Sequence, residues 1–493
     1  MVKPNPHQSE LVNLLQHYQN KRYEDAEKLA LNLTEKFPNH PFGWKVLGAL
    51  LNQINRLSEG LNACQKSVLL EPENAEAHNN LGNTLQKLGR LEEAEAVYRK
   101  AIALKINYAE AHNNLGNTLR DLDRLEDAEA SYRQAIALKI NYAEAHNNLA
   151  NTLQKLGRLE EAEASYRQAI ALKINYAEAH NNLGTTLKDL GRLEEAEASY
   201  RKAIALKPDL KIALLNLGQL LFEKGKFKEA LFEFDLCNTD NSRARALSCL
   251  YAIGRIEEIY KRIETQSKSE GENLRIAAMA AFLAETEQKE TAHNFCNKPL
   301  DFIHFSSISS HIEDSNLFIT ELIKELHNVK TIWEPYNKST NKGFQSKINL
   351  FENPLEKMNC LKSIIIDELD SYYSKFKNVS CSYIQKWPSE KRLVGWHVIL
   401  KQHGNQLAHI HPSGWLSGVI YLKVVPDSGQ DEGAIEFGLN GKRYFHEDAS
   451  KLIYQPKLGD IVFFPSSLYH RTIPFTSDTD RIIVSFDLMP KVI

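Results

Sequence analysis

Small and apolar residues recur through the first half of the chain at a helical spacing that itself repeats every 34 residues: Leu47-Gly48, Leu81-Gly82, Leu115-Gly116, Leu149-Ala150, Leu183-Gly184 and Leu217-Gly218. Within one unit Gly82 and Leu85 precede a turn glycine, Gly89, and then Ala94, Tyr98 and Ala101 fall on one face of a second helix. Each unit is therefore predicted to be a helix-turn-helix. One such unit cannot bury its apolar face alone, so the units should stack into a right-handed solenoid with an inner binding face. After residue 240 the period fades. Segments 246–262 and 273–284 still read as amphipathic helices, broken by the polar run 266–271, and suit a cap that closes the solenoid.

From about residue 301 alanine and leucine give way to short alternating runs of Ile, Phe, Tyr, Ser and Trp. Strands are predicted at 396–400, 416–423, 434–437, 461–464 and 481–486, with turns at Pro426, Gly429, Asn440-Gly441, Pro456 and Gly459. One amphipathic helix, 355–373, should pack outside a sheet, and the strand spacing fits a double-sheet jelly roll. The chain then divides into repeats over 7–240, a helical cap and linker over 241–300 with the junction near Lys298-Pro299, and a β-rich domain over 301–493.

A length of 493 residues agrees with more than one core. Charged residues make up 25% and the formal net charge is −3, so nothing marks a nucleic-acid or anionic-membrane binder. The six cysteines show no CxxC pair, which reads as reduced thiols. The first residues lack an apolar leader core and no run is long enough to span a bilayer, so a soluble, cytoplasmic protein is expected.

The 34-residue unit, with Pro72 and Pro208 at unit ends, resembles the tetratricopeptide repeat. Asn80, Asn114, Asn148, Asn182 and Asn216 occupy one position of successive first helices. An amide offers both donor and acceptor, so such a ladder could hold the backbone of an extended protein or peptide segment on the concave surface. The ladder resembles that of O-linked N-acetylglucosamine transferases, where it holds protein substrates; copying of a whole unit would also produce it. His78, His112, His146 and His180 repeat at the same period, but a helix-pair separation of about 10 Å is too wide for shared metal coordination, and they read as surface residues.

The chemistry concentrates near the end of the sequence. His409 and His411 would share one face of a strand, and His470, on a neighbouring strand, could complete a facial triad suited to non-haem Fe(II). His397, His403 and His446 have no partners at ligand spacing and read as structural, and Trp396 and Trp415 read as core residues. The β-rich half resembles the 2-oxoglutarate/Fe(II)-dependent oxygenases related to prolyl hydroxylases. The resemblance rests on Lys342-Gly-Phe-Gln-Ser346, Trp396 with Gly404-Asn405-Gln406, His409-Ile-His411-Pro412, Leu416–Leu422, Gly459–Pro465, His470 and Arg481–Phe486.

That resemblance implies a double-stranded β-helix, Fe(II) held by the histidines, and 2-oxoglutarate as cosubstrate. Arg481 would anchor its distal carboxylate, with Tyr421 and Ser485 assisting. Succinate and CO₂ would accompany hydroxylation. The wider superfamily usually has a carboxylate where this chain has His411; Glu436, Asp460 and Asp487 are candidate substitutes. Three functions stay open at this point: a hydroxylase whose repeats recruit a protein, a non-catalytic repeat scaffold, and an oxygenase of small molecules.

Overall fold

In the computed structural model, which describes residues 5–267, 272–335, 338–426 and 429–490, helices Ala75–Lys87 and Leu91–Leu104 close on each other at Gly82. A Cβ there would lie 2.6 Å from the Tyr98 ring, and Gly116 with Tyr132 and Gly184 with Tyr200 repeat the contact at 2.7 Å. The tyrosines are fully buried, yet the Tyr98 hydroxyl donates to Asn83 Oδ1 at 2.7 Å, so the aromatic ring fills the gap without stranding a polar atom. Asn74 starts the first helix by accepting from the Ala77 N–H at 3.1 Å. The turn between the helices needs a left-handed residue: Gly89 has φ +74°.

Successive units are joined by side chains. Arg124, Arg158 and Arg192 each reach back to a glutamate of the preceding unit, Glu95, Glu129 and Glu163, at 2.8, 2.6 and 2.7 Å. These pairs are largely solvated and contribute little each. The ladder asparagines are better placed. Asn114 Nδ2 donates to Asn79 and Asn83 of the unit before it at 3.1 and 3.0 Å. Asn148 donates to Asn113, Asn182 to Asn147 and Asn151, and Asn216 to Asn181.

The repeating histidines are not surface residues. His78 is buried and its Nε2 donates to the Pro72 carbonyl at 2.8 Å, tying the inter-unit turn to the next helix. His112, His146 and His180 are half-buried beside the carbonyls of Ile106, Ile140 and Ile174, and burial lowers their pKa values. The rings are too far apart to share a metal, but each finds its neighbour six residues earlier in the chain, Pro72 for His78 and Ile106 for His112.

By its internal contacts the chain separates into Met1–Leu220 and Leu221–Ile493. The second unit starts with helices Phe227–Cys237, Asp240–Ala252, Ile256–Ser267 and Leu274–Thr286. The single helix expected over 246–262 is two helices, because Gly254 turns the chain with φ +73°. The break expected over 266–271 lies mostly outside the described residues. No described helix is long and apolar enough to cross a membrane.

The strands are β1 (His304–Ser307), β2 (Thr331–Trp333), β3 (Thr340–Ser346), β4 (Leu393–His409), β5 (Leu416–Lys423), β6 (Ile435–Gly438), β7 (Lys451–Tyr454), β8 (Asp460–Pro465), β9 (Tyr469–Thr472) and β10 (Arg481–Leu488). They form one antiparallel sheet in the order β1-β8-β5-β10-β4-β9-β6-β7, with β3 also on β4 and β2 on β3. β4 changes partner along its length: its first half pairs with β10, and after a register shift its end pairs with β9. The bulged strand curls the sheet into a half-barrel of jelly-roll type.

Alternation then divides β10 between two environments. Ile482, Val484, Phe486 and Leu488 join a core with Leu361, Ile365 and Tyr372 of helix Glu356–Phe376 and with Leu274 and Ala277 of the preceding helices. Arg481, Ile483, Ser485 and Asp487 face a cavity inside the half-barrel. Gly418 on β5 makes room for the core, since a Cβ there would meet the Phe486 ring at 2.2 Å.

Candidate metal centre

His409 is the last residue of β4 and His470 sits directly across from it on β9, so strand register makes them side-chain neighbours. His411 follows just past the strand end, where its backbone N–H donates to the Ser466 carbonyl at 3.0 Å. The ring centroids lie 5.1 Å apart for His409 and His411, 4.3 Å for His409 and His470, and 5.0 Å for His411 and His470. His409 Nε2 and His411 Nε2 are 3.2 Å apart. Among the described residues these three form the one group of His, Cys, Asp or Glu whose donor atoms all lie within 4.8 Å of one another.

Each ring is held from behind. His409 Nδ1 donates to the Leu407 carbonyl at 2.7 Å and His470 Nδ1 to the Leu468 carbonyl at 3.2 Å. His411 Nδ1 donates to Asp487 Oδ1 at 2.6 Å. With Nδ1 carrying the proton in each ring, Nε2 keeps its lone pair for a metal. Burial, and then the His411 imidazole, depress the pKa of His409 to about 3, and burial with both neighbouring imidazoles holds that of His470 well below its ordinary value. Both therefore stay neutral, the state a metal requires.

None of the three candidate carboxylates completes the triangle. Glu436 pairs with Arg471 at 2.8 Å, and Asp460 accepts from the Tyr454 hydroxyl and the Lys457 N–H at 2.6 and 2.7 Å. Asp487 stands behind His411 and also accepts from Ser417 Oγ at 2.7 Å, which in turn contacts Ser466 Oγ at 2.7 Å. It acts on the imidazole rather than replacing it. Asp487 was legible as a nearby carboxylate; Ser417 and Ser466 carried no signal, because their meeting depends on β5–β8 and β5–β10 register.

The cavity, about 640 Å³, is lined by His409, His411, His470, Arg481, Ser485 and Trp396 among others. Trp396 belongs to this wall, with its ring 5.4 Å from that of His411, and is not the core residue the sequence suggested; Trp415 is in the core. Arg481 is 1% exposed, and its Nε and Nη1 are buried with no hydrogen-bond partner. Its guanidinium carbon lies 5.0 Å from the Tyr421 ring centroid, and burial pushes the Tyr421 phenol up to about 12. A buried cation with unused forked donors fits a carboxylate, and three converging imidazoles fit Fe(II), so this donor set suits both groups.

His397 is buried on the opposite face of β4, with neither ring nitrogen hydrogen-bonded, and His403 and His446 lie outside the histidine triangle. Tyr421 contributes its ring face to Arg481, while Ser485 reaches the cavity itself.

Residues 73–141, 107–175 and 141–209 match the tetratricopeptide repeat family, and residues 395–487 match the family described as "Putative 2OG-Fe(II) oxygenase". The chain thus carries both kinds of domain. Comparison with curated proteins returned no match. Among solved structures, a crystal structure of MamA is 27% identical over 32% of this chain and 92% of its own, with a TM-score of 0.30. YrrB, described as a TPR protein with an unusual peptide-binding site, is 24% identical over 38% of this chain and 95% of its own, with a TM-score of 0.31. The PilF structure from Pseudomonas aeruginosa is 20% identical over 42% of this chain and 96% of its own, with a TM-score of 0.37.

Proposed function

We propose that this chain is a 2-oxoglutarate/Fe(II)-dependent dioxygenase that hydroxylates a protein or peptide recruited by its repeats. The observation that carries the reading is Arg481: a fully buried guanidinium with orphaned donors, lining the same cavity as three convergent imidazoles. An unpaired buried cation costs several kcal/mol, and a dicarboxylate is the partner that offsets it.

In this reading His409, His411 and His470 hold Fe(II), and Arg481 takes the distal carboxylate of 2-oxoglutarate. Together the bound ion and cosubstrate supply an O₂-derived oxidant for an unactivated C–H bond, with succinate and CO₂ as by-products. Asp487 fixes the His411 ring so that its Nε2 faces the ion. Ser485 lines the cosubstrate side of the cavity, Tyr421 covers the guanidinium with its ring, and Trp396 walls the space left for substrate.

Because all the ligands are neutral, the 2-oxoglutarate dianion alone cancels the metal charge. Metal and cosubstrate should therefore bind cooperatively. Asn114, Asn148 and Asn182 keep Nδ2 in the neighbouring repeat; Oδ1 of Asn114 and of Asn182 accepts from Asn113 and Asn181 at 3.4 and 3.2 Å and keeps a second lone pair for a peptide N–H.

The test is anaerobic calorimetry of 2-oxoglutarate against the Mn(II)-loaded protein, followed by succinate release with Fe(II) in air. Arg481→Met should weaken cosubstrate binding roughly 100-fold or more, the worth of a bidentate charged pair in a dry site. Unchanged affinity would sink the assignment. The triple change of Asn114, Asn148 and Asn182 to Ala should weaken protein capture and spare uncoupled 2-oxoglutarate turnover; equal loss of both would refute the division of labour.

A further inference from the structure

Gln345 is a buried amide of which the fold uses one end. It lies on β3, where its register partner is Val398 of β4, and Val398 in turn faces Ile483 of β10. Residues directly opposite one another across a sheet point to the same side, so Gln345 shares the cavity face with Ile483, and it lines the cavity. The next row on one side holds Gly343, Leu400 and Arg481. There β3 offers no side chain, and a Cβ on Gly343 would lie 2.7 Å from the Ile399 carbonyl oxygen and 2.8 Å from the Leu400 side chain. The next row on the other side holds Trp396 and Ser485, and the Trp396 ring is 5.4 Å from that of His411.

Gln345 is 8% exposed. The buried Thr340 hydroxyl donates to its Oε1 at 3.1 Å, which leaves Nε2 as the free end of the amide. Among the described residues nothing accepts from Nε2. Two N–H donors without an acceptor in so dry a place cost free energy, and a ligand that brings an oxygen recovers it. The cosubstrate is not the ligand that suits this donor best. Arg481 already supplies the cation for its distal carboxylate, and β3 stands two strands from β10, about 10 Å at the usual strand spacing. A neutral amide donor matches a neutral carbonyl, which needs no counter-charge when it leaves water.

We propose that Gln345 is a specificity-determining residue, whose Nε2 donates to the carbonyl oxygen of a peptide bond in the substrate segment that enters the cavity. The subsite rests on the reading of this chain as an oxygenase of protein substrates, and it deepens that reading: the cavity grips the backbone of its substrate through a neutral donor on β3, apart from the charged anchor on β10.

The test loads the full-length protein with Mn(II) and 2-oxoglutarate and adds N-acetylalanine N-methylamide, a neutral molecule with two peptide bonds. Paramagnetic relaxation of its methyl protons reports the molecules held close to the ion, and in the wild type it should saturate. Gln345→Met should raise the half-saturating concentration about tenfold, the worth of a carbonyl left without its donor, while calorimetric affinity for 2-oxoglutarate stays within about twofold. That variant takes the acceptor from the Thr340 hydroxyl, so the double variant Gln345→Met, Thr340→Val serves beside it, with neither polar atom buried alone; it should show the same loss. No relaxation in the wild type, or equal relaxation in the wild type and both variants, would overturn the subsite. A loss of 2-oxoglutarate affinity of about tenfold in the double variant would give Gln345 to the cosubstrate and overturn it as well. Gln345-dependent relaxation in a protein that binds no 2-oxoglutarate refutes the oxygenase reading alone. Normal 2-oxoglutarate binding and turnover with no dependence on Gln345 refutes the subsite alone.

Discussion

His411 is as much defined by the oxygen behind it as by the space in front. Asp487 Oδ1, 2.6 Å from Nδ1, fixes the tautomer that turns Nε2 toward His409 and His470. Asp487→Ala should therefore lower Co(II) or Mn(II) affinity roughly 10- to 100-fold without disturbing the other two ligands, as measured by metal titration. Arg481→Met offers the opposite combination, loss of cosubstrate binding with stability retained or raised, because it deletes a buried charge whose Nε and Nη1 have no hydrogen-bond partner.

His397 supplies the pH dependence: burial, and then the charge of His327, depresses its pKa to about 4. The unfolded chain protonates it near 6.5 and the folded chain does not, so its contribution is complete above pH 6.5 and is lost as the pH falls toward 4. Between pH 7.5 and 5 the wild type should lose about 2 kcal/mol on this account, and urea titrations of His397→Leu should lack that loss. The histidines and Arg481 could be read from spacing because strand alternation is local. The place of Asp487 could not, since it depends on which strand lies beside which.

At the scale of the element, the asparagine ladder was visible in the 34-residue period, but its structural task was not. A period reveals that a position recurs; it does not reveal that Asn114 Nδ2 reaches 31 and 35 residues back to Asn83 and Asn79. Asn114→Ala should destabilise the repeats by about 1–2 kcal/mol in thermal melts, since it leaves two partly buried acceptors with fewer donors. Asn216→Ala, which removes a single bond to Asn181, should cost less. Among the strands that escaped the sequence, β7 and β9 are four residues long, and their runs are too short to show alternation. The run 246–262 looked like one helix because its apolar spacing continues through Gly254, where the left-handed turn resets the phase.

For the whole molecule, the two cores belong to different kinds of architecture. The repeats are held by nearest-neighbour contacts, whereas the second unit closes a sheet around its site. Metal with 2-oxoglutarate should therefore raise the unfolding transition of the second unit alone, by about 2.7 kcal/mol at a hundredfold excess over Kd, as calorimetry would resolve. The fold class was legible throughout: a fixed period announces a solenoid, and alternating runs between turn residues announce a β-rich half. The helices from Phe227 onward gave no sign that they would share a core with the sheet, because that sharing is made by residues as distant as Leu274 and Leu488.

The position of β10 has a consequence for how the protein comes into being. It lies in the middle of the sheet, between β5 and β4, although it is the last strand in sequence. The repeats can assemble one after another as they leave the ribosome, each on the one before. β4 and β5 must wait, with apolar faces uncovered, until residues 481–488 arrive to zip them together. Arg481 travels with that closing strand. The buried guanidinium of the cavity and the completed sheet thus appear in a single late event, so a nascent chain cannot have one without the other.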